Sequence, residues 1–590
     1  MNITRKAFQT LKEHRYAALV AVFIGLVMVG PQFAFRWSLG AAYNGVYMFA
    51  TPNENAYVGI MHEIIDGHPL VASMPFFEYK DQIPLLPATI AWLYALPTLL
   101  LGVSLYSTVI VSKFIFPAIL FLSVYAFVYL LCSGEASLKA QAKWCAIVGG
   151  LLVVLGFDFV DYRSLAQVLS GQIVRQGFLI WGRPINPISG AIFLFIFVAC
   201  IWKLWQTHSK KYFITAGVML ALMMASYVFS WTLAVVITGL IIILNMCRKN
   251  FRVTRDLMLV LLIGSVLSLP YWINVIRASQ SPWYEDASKR IGFFYTHTPH
   301  LNKFLIVALL LFGALSAYSF YKESHQIDKD WWWFSFFLII SGLVAYNQQI
   351  ITGREIWYYH YVFYTIPFTY SALLIILWHV IQPLFPRLWL AIMVILAMSS
   401  IAVGVGTQYQ AYHARYQEFA NRQNYRGFIN FFNDAPKDCV VLVKEKNINE
   451  LSNIIPMFTH CNTYFSPEVE GVLMPPERIQ HNYMTILRLR GVMPTTLNDY
   501  IQSNKEEVAL RLQFELYRTA GQPDQKLNDL LLQFPKMYAN FYQVPFANEL
   551  HTYKIDYILS EDDLAANVKS QLPGLTLVFS DGRYYVYTIQ

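Results

Sequence analysis

Pro52-Asn53-Glu54-Asn55-Ala56-Tyr57 follows the first apolar run of the chain, Tyr16 to Phe35. The polar reading continues through Glu63 and Asp66-Gly67 to Glu78-Tyr79-Lys80-Asp81. Only 14% of the 590 residues are charged, so an acidic stretch here stands apart from its surroundings. A carboxylate at a bilayer surface costs free energy unless something uses it. The stretch therefore reads as the first loop of a membrane protein, and as the place where chemistry is to be sought.

Composition agrees. The chain is 56% hydrophobic and 16% aromatic, whereas a soluble domain carries about 25% charged residues. The formal charge of +8 does not indicate a nucleic-acid partner. Its Lys and Arg sit in short loops between apolar runs, which is a topology signal. The run Tyr16 to Phe35 is long enough to span, and no small-residue cleavage site follows it, so no cleavable signal sequence is expected.

Hydropathy gives about eleven spans, each near the roughly 20 residues a bilayer requires. They fall near 17–36, 105–131, 143–158, 186–206, 212–228, 230–247, 257–276, 303–321, 332–348, 361–380 and 387–406. The stretch 84–101 is apolar too, but prolines at 84, 87 and 97 suit a helix lying in the interface. Arg5, Lys6, Lys12 and Arg15 precede the first span, placing the N-terminus in the cytoplasm. The clusters at Lys139/Lys143, Lys203/Lys210/Lys211, Arg248/Lys249/Arg252/Arg255, Lys322/Lys329 and Arg387 share that side only if 84–101 does not cross. The loops 37–104, 159–185 and 277–302, the turn 349–360 and the tail then lie outside, in a cell membrane.

The expected fold is an α-helical multi-pass membrane domain, 1–409, with a C-terminal α/β extracytoplasmic domain, 410–590. In the tail, Cys439-Val-Val-Leu-Val reads as a strand, 447–457 as a helix and Asn462-Thr-Tyr-Phe as a second strand, which suggests a parallel pair. A helical block from 475 to 543 and three further strands, near 554, 575 and 584, complete it. Cys439 and Cys461 each open a strand; they are a disulfide candidate in an oxidising compartment or, alternatively, two buried thiols.

The order of one span, an acidic loop, an interfacial helix, further spans and a soluble domain resembles the GT-C superfamily. These are polyprenyl-phosphate-sugar-dependent glycosyltransferases, and the likeness is greatest to the aminoarabinose and protein O-mannosyl transferase branch. That branch opens its first loop with Pro-Asp-Glu-x-x-Tyr, matched here by Pro52, Asn53, Glu54 and Tyr57. A helix from 56 to 65, the turn Asp66-Gly67, and Glu78 with Lys80 near the lipid phosphate follow the same pattern. The resemblance implies a sugar transferred from a polyprenyl-phosphate carrier to a glycan, lipid or protein acceptor on the non-cytoplasmic face. The family's catalytic Asp is replaced by Asn53, and an amide cannot take a proton from a hydroxyl. Glu54 becomes the candidate base with Asn53 orienting it. Alternatively, Glu54 only complements the dipole of the helix it opens, with Asn53 as its cap.

Asp158 and Asp161 share one helix face at i,i+3 and are candidates for acceptor or metal binding, unless Asp161 merely pairs with Arg163. No cofactor is required; a divalent cation on Glu54, Asp158 and Asp161 is an option. Arg183 and Arg290 are external arginines suited to holding a lipid phosphate; alternatively they meet lipid headgroups or loop carboxylates, with Arg183 as an interfacial anchor. Asn347, Gln348, Arg354 and His360 form a polar cluster at a span end, costly in lipid unless it lines a cavity. Arg354 is assigned to phosphate, and Gln348 and His360 to sugar or phosphate. The alternative is a hairpin in which Arg354 pairs with Glu355. His62 and His68 read as surface residues. A transporter or flippase of envelope glycans, and a catalytically inactive lipid-binding or scaffold relative, remain as alternative functions.

Overall fold

The computed structural model describes residues 9–10, 12–134, 138–322, 329–444, 448–466, 469, 471–512 and 525–589. Arg5 and Lys6, two of the orienting cations, lie outside the described residues, as does part of the helical block 475–543. Each of the eleven expected spans has a helix. Among the described residues, eight are long and apolar enough to cross a membrane: Arg15–Ala42, Leu105–Cys132, Ile188–Thr207, Val228–Cys247, Lys303–Tyr321, Asp330–Thr352, Tyr358–Leu384 and Pro386–Asp434. A ninth span is broken, with Phe251–Leu267 and Leu269–Ala278 meeting at 56° just ahead of Pro270. The helices Lys139–Val154 and Lys210–Met224 are shorter, 16 and 15 residues.

The stretch 84–101 holds no helix of spanning length among the described residues. It forms a 3-10 turn and the helix Trp92–Leu101, ten residues long, with Leu93, Leu96, Leu100 and Leu101 exposed. Small residues allow the closest helix contacts. Gly150 meets the Phe121 ring, and Gly25 meets Phe114, at distances where an added Cβ would collide. Alternation of the chain then puts Lys143, Lys203, Lys210 and Arg248 at one end of the bundle, with Lys143 on Glu13 at 3.2 Å and Arg248 on Asp330 at 2.7 Å. The loop after Leu39 and the C-terminal region lie at the other end.

The C-terminal region holds a five-stranded sheet in the order Asn462–Thr463, Val440–Lys444, Tyr557–Ser560, Tyr585–Thr588, Thr576–Ser580. Its first three strands are parallel, with Val440 beside Asn462, and the other two are antiparallel. Cys439 and Cys461 are joined by a disulfide, their Cα atoms 4.5 Å apart across the parallel pair.

The tail also packs against the first loop. The last spanning helix runs unbroken to Asn421. Val58, Met61, Ile64 and Tyr94 of the first loop share one apolar core with Phe428, Ile454, Ile455 and Phe458. Thr463 N–H donates to the Pro75 carbonyl at 2.9 Å, and the Tyr106 hydroxyl to the Met457 carbonyl at 3.1 Å. The loop and the tail pack against each other in that core, which Leu105, Val109 and Ile185 of the bundle also enter.

Candidate functional site

A cavity of about 1020 Å³ opens between the bundle end, the first loop and the C-terminal region. Pro52, Asn53, Tyr57 and the segment 84–91 form one wall. Arg183 and Asn186, then Ser226 and Tyr227, then Trp357, Tyr359 and His360 form the other. Asn453, Val472 and Arg511 close it from the tail. The walls are mostly apolar or aromatic, with few polar groups, as in a site for an amphiphile.

Arg183 is one of two arginines in the lining, the other being Arg511. Arg183 is only 6% exposed. Its Nε donates to the Asn186 carbonyl and its Nη1 to the Pro52 carbonyl at 3.3 Å. The guanidinium lies 5.4 Å from the Tyr57 ring centroid and 5.8 Å from that of Phe363. Among the described residues no carboxylate pairs with it. His360 sits in the same wall, in the 3-10 turn Tyr358–Tyr361 that enters the next spanning helix. Its Nδ1 is 2.5 Å from the Tyr227 hydroxyl, and its ring packs on Phe229 and Trp357 with centroids 5.2 and 5.3 Å away.

Asn53 also lines the cavity, at the position just before the helix Glu54–Ile65. Its φ of 56° is left-handed, a conformation Asn tolerates better than most residues. Its side chain makes no capping bond, so the cap expected from sequence is absent. A smaller polar pocket of about 490 Å³ lies behind Pro52, Asn53 and Asn453, walled by Arg415, Glu418, Arg422 and Glu450.

Several expected site residues lie elsewhere. Glu54 opens its helix as read, but it is fully buried and not on the cavity wall. One carboxylate oxygen is 2.6 Å from Lys113 Nζ, and the other accepts from the Thr51 hydroxyl at 2.6 Å. Lys80 is not at the cavity. It is buried between Glu63 at 2.7 Å and Asp438 at 3.0 Å, tying loop to tail. Glu78 pairs with Arg478 at 3.4 Å across the same junction. Arg290 is 1% exposed, held by Asp286 and donating to the Val472 carbonyl at 2.7 Å. His62 and His68 are half-buried rather than superficial, on Asp66 at 2.8 Å and Asp438 at 3.1 Å.

The polar cluster at 347–355 stitches a hairpin. Asn347 exchanges bonds with the His300 backbone at 2.8 and 3.1 Å, and Gln348 donates to the Arg354 carbonyl at 2.6 Å. Arg354 is exposed and donates to the Tyr295 hydroxyl at 2.7 Å, in the strand pair Phe293–Tyr295 with Arg354–Ile356. Glu355 pairs with His300 at 2.6 Å, not with Arg354. The amides replace sheet and helix bonds that the hairpin lacks.

The two aspartates do not share a helix face. Helix Lys139–Val154 ends early; Asp158 sits in a 3-10 turn and Asp161 precedes the helix Tyr162–Leu169, accepting from Ser164 N–H at 3.3 Å. Asp161 lies 4.0 Å from Arg175, not on Arg163. Burial raises the Asp158 carboxyl above its usual range. Glu54, Asp158 and Asp161 do not converge on a metal-sized site. Among the described residues, the one group of three metal-ligating side chains is Cys439, His460 and Cys461, whose two sulfurs form the disulfide.

Sequence reasoning missed Tyr227, Ser226 and Asn186. Ser226-Tyr227 is the polar break between the helices Lys210–Met224 and Val228–Cys247, and that short turn went unread. No protein-family model and no curated protein matches the chain. Among solved structures, it is similar to the single-particle cryo-EM structure of the arabinofuranosyltransferase AftD from Mycobacteria, with TM-score 0.49 and 13% identity. The likeness covers 98% of this chain and 40% of that one, so this chain spans less than half the length of AftD.

Proposed function

We propose that the protein is a membrane glycosyltransferase that moves a sugar from a polyprenyl-phosphate carrier to an acceptor at the non-cytoplasmic face. The observation that carries this reading is Arg183: a buried guanidinium, on a cavity wall, with no carboxylate partner among the described residues. Taking such a charge out of water costs on the order of several kcal/mol unless an anion meets it. Two of its donors are fixed on carbonyls, which aims the group. A phosphate fits a guanidinium fork.

The apolar wall at 84–91 continues into the helix Trp92–Leu101 with its exposed leucines, which suits an isoprenoid chain arriving from the membrane. The aromatic wall of Tyr57, Tyr227 and Tyr359 suits a sugar ring. The layout read from the sequence agrees with this assignment. A lipid-phosphate binder without transfer is the second reading. It is favoured by one observation: among the described residues no carboxylate lines the cavity.

The test is binding of undecaprenyl phosphate to the full chain in nanodiscs. Wild type binds, and Arg183→Ala binds about 10- to 100-fold more weakly, the loss of charge-assisted hydrogen bonds. Equal affinity of the two would remove the phosphate assignment. Release of undecaprenyl phosphate from its mannose or aminoarabinose conjugate then separates transferase from binder.

A further inference from the structure

We infer that His360 is the group that takes the proton from the acceptor hydroxyl, with Tyr227 as its positioning residue. This rests on the transferase reading above. The usual carboxylate is missing at Asn53, and the neighbouring Glu54 is occupied by Lys113 and Thr51. Among the described residues that line the cavity, His360 is the one histidine and no carboxylate accompanies it, so its imidazole nitrogen is the side-chain atom there that can take up a proton.

The geometry suits the task. Nδ1 is fixed on the Tyr227 hydroxyl at 2.5 Å, and among the described residues Nε2 has no hydrogen-bond partner. The half-buried ring is set by Phe229, Trp357 and Phe363, the last with its centroid 6.0 Å away. Phe363 also carries Arg183, 5.8 Å above its ring. Phe363 thus packs against both the imidazole and the phosphate-binding cation, and His360 and Arg183 line the same cavity. Arg183, Tyr227 and Tyr359 are the titratable or charged groups that lie against His360, and Tyr57 and Tyr364 stand behind Tyr227.

In the step, the acceptor oxygen forms a bond to the anomeric carbon. The bond from that carbon to the phosphate oxygen breaks, and its electron pair leaves with polyprenyl phosphate beside Arg183. The hydroxyl proton passes to Nε2. Nδ1 then carries its proton toward the Tyr227 oxygen, which accepts the hydrogen bond of the imidazolium. No oxidant, reductant or further reactant is needed.

The experiment uses the full chain in nanodiscs with undecaprenyl-phosphate mannose and undecaprenyl-phosphate aminoarabinose, a membrane glycan extract as acceptor, and release of undecaprenyl phosphate as readout. His360→Gln is expected to lower turnover about 100-fold or more while leaving affinity for undecaprenyl phosphate within threefold of wild type. The rise of the wild-type rate with pH disappears in this variant, and Tyr227→Phe moves that rise along the pH axis. Added imidazole restores turnover to His360→Ala, which a purely structural role would not allow. Turnover by His360→Gln within threefold of wild type overturns the inference and leaves the transferase reading standing. Binding of undecaprenyl phosphate with no release from either donor overturns it too and leaves the binder reading. No binding at all by wild type ends both.

Discussion

Lys113 Nζ lies 2.6 Å from the Glu54 carboxylate and 3.1 Å from the Gly182 carbonyl, with both charged side chains buried. One ion pair thus joins the start of the first-loop helix to the segment that carries Arg183. Removing one partner of a buried pair leaves an uncompensated charge and costs about 3–5 kcal/mol. Glu54→Gln and Lys113→Met are each expected to destabilise the protein by that amount, and the double variant to recover most of it. Heat unfolding in detergent measures this. A Glu54→Gln protein that keeps its stability but loses sugar transfer would return Glu54 to the role of base.

The junction of loop and tail is pH-dependent with opposite signs in its two carboxylates. Burial pushes Glu63 up from 4.5 to about 7, against the pull of Lys80. Between those values the folded chain holds a proton that the unfolded chain has lost. Stability therefore falls as pH rises from 4.5 to about 7, and the loss is complete above that. Asp438 runs the other way. Burial would raise it, but Lys80 and His68 outweigh that and hold it below its ordinary 3.8. Its contribution is present above 3.8 and lost as pH falls through the lower folded value. Glu63→Gln is expected to flatten the slope between 4.5 and 7 and to leave the acid limb. Hydrogen exchange of the helix Glu54–Ile65 across pH reads this out, and an unchanged slope would refute it.

What the sequence made legible follows from local physics. Apolar runs of span length announced the helices, prolines at 84, 87 and 97 went with a short helix there, and strand-opening cysteines pointed to a bridged parallel pair. Partners far along the chain were not legible. Lys80 is a lysine in a loop until Asp438, 358 positions later, packs beside it. The same holds for Glu78 with Arg478, 400 positions apart, and for Arg290 with Val472. A sequence shows that such a charge exists, but only the fold shows what neutralises it. Arg183 was legible as an external arginine, but not as one left without a carboxylate.

The disulfide closes a loop across 22 positions that contains the helix Ile448–Phe458, and that helix packs on the first loop. Chain-entropy arguments give about 3 kcal/mol for a loop of this order. Cys439→Ser with Cys461→Ser is expected to lower the stability of the tail by that amount and to loosen Glu54–Ile65 as well, because the two share a core. Limited proteolysis with and without reductant tests both. Cleavage confined to the tail would show that the coupling through the shared core is weak.

Asn53 stands where a carboxylate would compete with the proposed lipid phosphate. Its neighbour Pro52 accepts a bond from Arg183, and its φ of 56° suits Asp nearly as well as Asn. Asn53→Asp therefore keeps the backbone and adds one negative charge beside the proposed phosphate position. The expected result is weaker binding of undecaprenyl phosphate, by about tenfold for roughly 1.4 kcal/mol of repulsion. The deficit should shrink as pH falls toward about 4, where an ordinary Asp takes up its proton. Asn53→Gly, which also accepts the left-handed backbone, should bind as wild type does. Equal binding by Asn53→Asp at neutral pH would mean that the phosphate sits away from Asn53 and Arg183, and the cavity would then need another reading.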